Sequence, residues 1–467
     1  MPPSQSLSED SVGLCLGLDS IGPASPHGDR VVYWMHSSHR TIHNPALEAA
    51  IVISNRNQLP LDVLFILDPA LPDVNLRSFS FLLQGLDDVD RGLRSRGIHL
   101  SVRRGDIFTE LLKHLQDASA LIMDQGYLRH HRQWYRLLDK ELDIPTLQCE
   151  GNIVIPVRTA SDKEEWSAAT FRRKIAAKTL SYLKPVQEQV PLISSRGFWG
   201  EGLEWKGHEW HLRWMDMQGS ANPSPNLYGG QDAAERILEE FMRKRFDCYH
   251  NSRNDPNLRC CSELSPYLHL GQISPVRIAM EVMKAGGPNS EAYLEQLIVR
   301  RELSINHVSF NVNYDRYQGL PEWCRKSLDE HSKDAREYIY SFTDLERGRT
   351  HDPYWNAAQR QMLSTGIMHN YMRMYWGKKI LEWSETPQQA FENALRLNNR
   401  YELDGRDANG YTGVAWCFGK HDRPWKERPI FGTVRYMNDR GLERKFDMAA
   451  YIQMTLEEKD RIEKLVS

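Results

Sequence analysis

A change of period divides this chain. Up to about residue 150, short apolar runs alternate with amphipathic stretches, whereas from Gln231 onward nearly every segment carries helical spacing. The runs Arg30–Met35, Leu61–Leu67, Ile98–Arg104 and Ala120–Asp124 have the length and β-branched content of buried strands. Between them, residues 44–58 and 78–97 read as helices, the second opening after a Ser cap. Strand–helix alternation implies a doubly wound parallel sheet, because parallel strands need crossover connections. The segments 232–244, 274–285, 290–310, 355–383 and 386–400 imply a larger all-α region. The expected organisation is a disordered segment over 1–27, an α/β domain over 28–155, a linker over 156–230 and an all-α domain over 231–467. Within the linker, residues 170–184 form a basic helix and Ser220–Gly230 a loop.

Composition narrows the functional classes. The 467 residues carry Lys+Arg 59 against Asp+Glu 62, a formal net charge of -3. That balance argues against a chain that coats nucleic acid non-specifically, but a total hides local basic grooves. No run approaches the roughly 20 apolar residues of a membrane helix. The chain start lacks the basic-then-apolar order of a secretory signal. Seven cysteines show neither a C-x-x-C pair nor zinc spacing, so reduced thiols and no metal are expected. An intracellular, cytoplasmic or nuclear, monomeric protein follows. No G-x-G-x-x-G follows the first strand, which leaves a dinucleotide site at that turn unsupported. There is no internal repeat.

Four strings carry chemistry-bearing residues. Asn398–Trp416 packs Asp, Glu, Asn, Arg and Gly between apolar segments; read alone, it is a turn-rich surface loop. His421–Met437 interleaves Arg423, Arg428 and Arg435 with Trp425, Phe431 and Tyr436. Alternating cations and rings suit a distorted or single-stranded nucleic acid, since cations meet phosphates and rings stack on bases. Its bland reading is a solvated loop with snorkelling arginines. Trp376 and Trp383 share one helix face, where an aromatic stripe is more often core than cofactor site. Glu302 lies beside two arginines in an apolar helix, as a structural ion pair or a positioned acid.

Together these strings resemble the class II cyclobutane pyrimidine dimer photolyases of the photolyase/cryptochrome superfamily. The resemblance runs from about residue 28 to the end. It is carried by Tyr249–Ser274, Val299–Ser304, Thr350–Gln359, Met372–Trp383, Asn398–Trp416 and His421–Met437, in that order. It implies FAD, active when reduced, in the all-α domain, and light-driven electron transfer to a pyrimidine dimer flipped out of UV-damaged DNA. A second, light-harvesting chromophore in the α/β domain is left open. Tyr249, Ser262, Leu264 and Ser265 match the family's FAD segment, where a helix N-terminus would aid the pyrophosphate. Arg373 and Asp404 match the pair near the flavin ring, and Asn398 the amide facing it. Glu302 matches the acid on the dimer's carbonyl edge, and Trp416 the wall the dimer packs against. Trp376, Trp355 and Trp383 match an inner, middle and outer electron relay. Arg435 matches the residue entering the vacated helix position, with Arg423 and Trp425 on the same DNA-facing loop.

Departures from the family pattern also stand out. Ile305 and His307 sit one turn from Glu302, where they can reshape the substrate wall. Asn370 replaces a glycine, and Cys260–Cys261 replace small polar residues. Two other classes compete: a cryptochrome-like photoreceptor, which need not keep Glu302, Trp416 and Arg435, and a damage-recognition protein without photochemistry.

Overall fold

The structure is a computed structural model, and it describes residues 15–16, 28–71, 73–197, 204–213 and 221–466. A six-stranded sheet has the order β1-β6-β5-β2-β3-β4. Its strands are β1 (Cys15–Leu16), β2 (Arg30–Trp34), β3 (Leu61–Leu67), β4 (His99–Arg104), β5 (Ala118–Asp124) and β6 (Thr146–Cys149). β2 to β6 run parallel, and β1 lies antiparallel to β6. The buried runs β2, β3 and β5 are the central strands. β4 is less buried, with His99, Arg103 and Arg104 only partly covered, as befits an edge. β6 and β1 escape a reading by apolar runs: TLQC is four residues and CL two. The expected disorder of 1–27 falls outside the described residues except at Cys15–Leu16, which pair with β6.

Helices Pro45–Asn57 and Leu76–Ser95 lie where the periodicity places them. The second starts earlier than the Ser cap implied. Asn75 is the cap, its side chain accepting from Ser78 N while the Ser78 hydroxyl returns to Asn75 N. The 355–383 segment is two helices, Pro353–Thr365 and Asn370–Trp383, because Gly366 adopts φ 82° and closes the first. The 156–230 segment carries short helices, among them Ala168–Ile175 and Thr179–Tyr182, the two halves of the expected basic helix.

At the carboxyl ends of β2 and β5 the doubly wound order switches, the usual ligand crevice of such sheets. Asp124 Oδ2 there accepts from the backbone N–H of His36, Ser37 and Ser38 at 3.1, 2.8 and 2.8 Å. His36 packs 4.5 Å from the Trp34 ring and 5.1 Å from His131.

Two buried arginines join sheet and helices. Arg77 Nε donates to Asn222 O at 2.7 Å, Nη1 to Met362 O and Tyr401 O at 3.0 and 2.9 Å, and Nη2 to Leu363 O at 2.6 Å. Arg40 Nη1 reaches Asn152 Oδ1 and Gly271 O, both at 2.7 Å, and Nη2 reaches Gly151 O at 2.6 Å. Burial pulls both guanidinium groups down to about 10, still charged at neutral pH. Replacing Arg77 by Ala leaves buried carbonyls unpaired, each costing about 1–3 kcal/mol. The expected outcome for Arg77→Ala is a loss of at least about 3 kcal/mol by denaturant unfolding, with Arg77→Lys recovering only a minor part. A variant as stable as the parent would show that these bonds do not hold the two parts together.

Candidate active site

Helices Arg301–Phe310 and Ala408–Cys417 form the floor of the site, packed antiparallel. Thr412 Oγ1 approaches Ser304 O at 3.5 Å and His307 Nδ1 at 3.1 Å, and the Arg300 guanidinium lies 5.2 Å from the Trp416 ring. A π-helical turn over Glu295–Arg300 precedes the first helix and resets the phase of its side chains. Arg300 meets Trp416, while Glu302, two residues on and so on the opposite helix face, meets the segment after β6. Its Oε1 accepts from Val154 N and its Oε2 from Ile155 N at 3.3 Å. The carboxyl also lines a narrow, mainly apolar cavity with Ile153, Ile155, Phe171, Ile305 and Asn306. Burial raises Glu302 to about 8; the two N–H groups and Arg301 offset this only in part. Its carboxyl is then mainly protonated at pH 7, with a proton neither N–H can accept. From sequence, Glu302 and Trp416 form one dimer pocket. In the structure they sit on neighbouring helices, and the side chain touching Trp416 from helix 301–310's leading turn is Arg300.

The departures near Glu302 are built in. Ile305 belongs to an apolar cluster with Leu128, Ile153, Val308, Tyr314 and Ala408. His307 is buried, 5.7 Å ring to ring from His421, which meets Trp416 edge-on at 5.5 Å. These residues back the Trp416 wall.

A second group surrounds Arg373 on helix Asn370–Trp383. Its Nη2 lies 3.0 Å from both Glu402 Oε2 and Asp404 Oδ1. Burial pulls this guanidinium down, yet Asp404 and Glu402 hold it above its ordinary value. Burial lifts Glu402 to about 8 despite Arg373. Asn398 is buried at the end of helix Pro387–Tyr401, and a Cβ at Gly410 would come within 3.0 Å of its Nδ2. Asp407, which caps helix 408–417, would be raised by burial, but His269 and Arg301 bring it down to about 2. Glu402, Asp407 and Arg301 were missed by sequence reasoning, although they flank Asp404 and Glu302 in the same strings.

A third group lies along residues 245–265. The Tyr249 ring packs 5.0 Å from Tyr293, whose hydroxyl donates to Ser262 Oγ at 3.0 Å. Leu264 is buried and Ser265 exposed. Helix Ser265–His269 has five residues, too short for the expected dipole aid to a pyrophosphate. His369 Nε2 lies 3.1 Å from Arg253 O, linking this loop to the start of the Arg373 helix. The expectation of reduced thiols is corrected here. Cys248 and Cys260 form a disulfide, because the turn at 249–259 returns the chain to a Cα–Cα distance of 5.7 Å. Cys261, Cys324 and Cys417 are free.

The three tryptophans lie in a row and are buried. Trp376 and Trp355 rings are 6.3 Å apart with planes 6° from parallel, and Trp355 and Trp383 are 5.7 Å apart. Trp355 Nε1 donates to Trp376 O at 3.0 Å, and Trp376 Nε1 to Gln359 Oε1 at 2.8 Å. Trp383 is covered by Tyr340 and His351, at 5.5 and 5.2 Å.

The loop after Trp416 presents Arg423, Trp425 and Arg435 to solvent. Trp425 N donates to Thr433 O at 2.8 Å and Arg428 N to Gly432 O at 2.9 Å, closing the loop on itself. Arg435 lies 5.0 Å over the Trp425 ring. Among the described residues, no cluster of His, Cys, Asp or Glu could hold a metal ion, and no helix is long and apolar enough to cross a membrane.

An α/β sheet followed by a helical region with buried charged groups and a tryptophan row is the architecture of photolyases and cryptochromes. A class III photolyase from Agrobacterium tumefaciens superposes with TM-score 0.71 at 18% identity, covering 93% of this chain and 88% of that one. A Synechocystis cryptochrome gives TM-score 0.71 at 16% identity, covering 92% and 89%. A family model described as DNA photolyase matches residues 31–191. The deoxyribodipyrimidine photo-lyase of Methanothermobacter thermautotrophicus is 48% identical over 426 residues, 91% of this chain and 94% of that protein. That of Arabidopsis thaliana is 38% identical over 438 residues, 90% and 88%. The chain belongs to the deoxyribodipyrimidine photo-lyase family, on its class II branch.

The family binds FAD, and the buried atoms suit such a group. Arg301 Nε and Nη1, Arg373 Nε, Arg245 Nε and Glu402 Oε1 have no hydrogen-bond partner among the described residues. The arginine N–H groups among them require an acceptor, which phosphate oxygens and flavin carbonyls provide.

Because Glu302 is raised on folding, the stability of its neutral form is fully present below the unfolded value near pH 4.3 and is lost as pH rises through about 8. Glu302→Gln removes that titration. The melting temperature of the Gln variant relative to the parent should rise between pH 5 and pH 8, then level off. A difference independent of pH would show that the carboxyl titrates as if exposed.

Proposed function

We propose that this deoxyribodipyrimidine photo-lyase repairs cyclobutane pyrimidine dimers extruded from UV-damaged DNA, holding reduced FAD among its C-terminal helices. The observation carrying this reading is that Arg373, buried with an unpartnered Nε beside Glu402 and Asp404, shares helix Asn370–Trp383 with the tryptophan row. When bound, reduced FAD supplies the photoexcited electron that opens the cyclobutane ring and is afterwards recovered. The chain's residues position, tune and exclude water around that transfer.

Arg373, with Asp404 and Glu402, sets a near-neutral buried charge balance beside the flavin, and the Asn398 amide can turn its dipole to either redox state. Tyr249, Ser262, Leu264 and Ser265 shape the phosphate side, with Arg245 as a charged neighbour. Glu302 is kept neutral by burial, and its O–H reaches a pyrimidine carbonyl on the Trp416 side only by leaving the Val154 and Ile155 N–H groups, as charge develops there. Trp416, backed by His421 and His307, is the wall against which the dimer rests. A dimer stacks and pairs poorly, so its extrusion costs less than that of normal bases. Arg423, Trp425 and Arg435 meet the DNA, whose binding weakens with salt.

Trp376, Trp355 and Trp383 relay electrons inward to restore the reduced flavin. Near-UV illumination of the fully reduced holoenzyme with a thymine-dimer oligonucleotide should recover thymine absorbance. No recovery, despite bound reduced FAD, would leave a photoreceptor as the better reading. Trp376→Phe should slow photoreduction at least about tenfold while repair by chemically reduced enzyme persists. Equal loss of both activities would contradict the relay.

A further inference from the structure

We propose that Trp166, on the segment joining the sheet to the helices, packs against the nucleotide flanking the extruded dimer and forms the outer lip of the Trp416 wall. This rests on the repair reading and adds a DNA contact outside the strings that carry the family resemblance. Among the described residues, Trp166 and Trp425 are the two tryptophans counted as exposed, at 55% and 45%.

Trp166 is held out in water by a loop fastened on both sides. Glu165 N donates to Asn306 Oδ1 at 2.8 Å, and Asn306 Nδ2 donates to Lys163 O at 2.9 Å. The Glu165 carboxylate is buried against Ser161 Oγ at 2.7 Å and Lys174 Nζ at 2.6 Å. Glu164 pairs with Lys420. His421 Nδ1 lies 2.9 Å from Trp166 O. Burial brings His421 down to about 3, so its neutral ring can donate there. These bonds fix the backbone that carries Trp166, so the loop holds its indole at one place on the surface beside His421.

The lip is continuous with the lesion wall. His421 connects the Trp166 backbone to the Trp416 ring, and Arg300 covers that ring from helix 301–310's leading turn. Local charge also favours a phosphate backbone. Glu164 and Glu165 are neutralised by Lys420 and Lys174, while Lys163 and Arg173 are exposed nearby against a single exposed acid, Asp162. A rigid exposed indole flanked by cations fits a nucleic-acid strand better than a protein surface. The strand on each side of an extruded dimer would then find one ring from each loop, Trp425 on one and Trp166 on the other.

The test uses the FAD-loaded full chain with three substrates: a dimer-containing duplex, the same duplex undamaged, and a thymine-dimer dinucleotide too short to reach beyond the Trp416 pocket. The variants are Trp166→Ala, Trp166→Phe and, as an exposed control beside Asn55, Leu192→Ala. Fluorescence anisotropy should show damaged-duplex affinity about tenfold weaker for Trp166→Ala, largely restored in Trp166→Phe and unchanged in Leu192→Ala. Repair of the dinucleotide, and repair per bound duplex, should match the parent. Damaged-duplex affinity within twofold of the parent, or an equal loss on dinucleotide and duplex, would overturn the proposal. Absence of repair of any dimer substrate by the parent chain would instead overturn the repair reading, and the lip with it.

Discussion

Buried guanidinium groups pairing with backbone carbonyls hold this molecule in its working shape. Arg77 projects from a helix on the sheet into carbonyls at the ends of two C-terminal helices, and Arg40 ties the loop after β2 to Gly151 and Gly271. A carbonyl at a helix end is an acceptor left without an intrahelical partner. One planar, always-charged group can satisfy several such acceptors, which lysine cannot. The consequence reaches the site. Docking in this register brings Val154 and Ile155 N–H to the Glu302 carboxyl. The segment after β6 thus shapes the electrostatics of a helix some 150 residues further along the chain.

The site is a buried field of opposing charges with donors to spare. Arg373 is shared between Glu402 and Asp404, Asp407 faces His269 and Arg301, and Glu302 and Glu402 are held largely neutral by burial. Isolated buried charge is costly. Here the balance is nearly closed among neighbours, and Nε of Arg301 and of Arg373 remain without a hydrogen-bond partner among the described residues. The tryptophan row needs no charge, and it is packed in the core of the C-terminal helices.

Much of this was legible in the residues. Runs such as Leu61–Leu67 name their strand because both faces are buried and every position is apolar or paired. Arg373, Asp404, Asn398, Tyr249 and the tryptophans were marked by the strings that contain them. Other features were not. β6 is too short and polar to signal a strand, and β1 pairs only because β6 offers an edge. The Cys248–Cys260 bond depends on a turn whose closure no spacing rule anticipates. Trp166 lay in a segment read as linker, where an indole carries no periodic signal.

Sequence alone determined the central strands, most helices and the strings that hold the candidate site residues, because periodicity and local motifs are properties of neighbouring residues. Only tertiary structure decided which way those side chains face. Arg300 and Glu302, two residues apart and so on opposite helix faces, meet Trp416 and the backbone of Val154 and Ile155 respectively. Burial then keeps that carboxyl neutral, an outcome set by groups some 150 residues away in the chain.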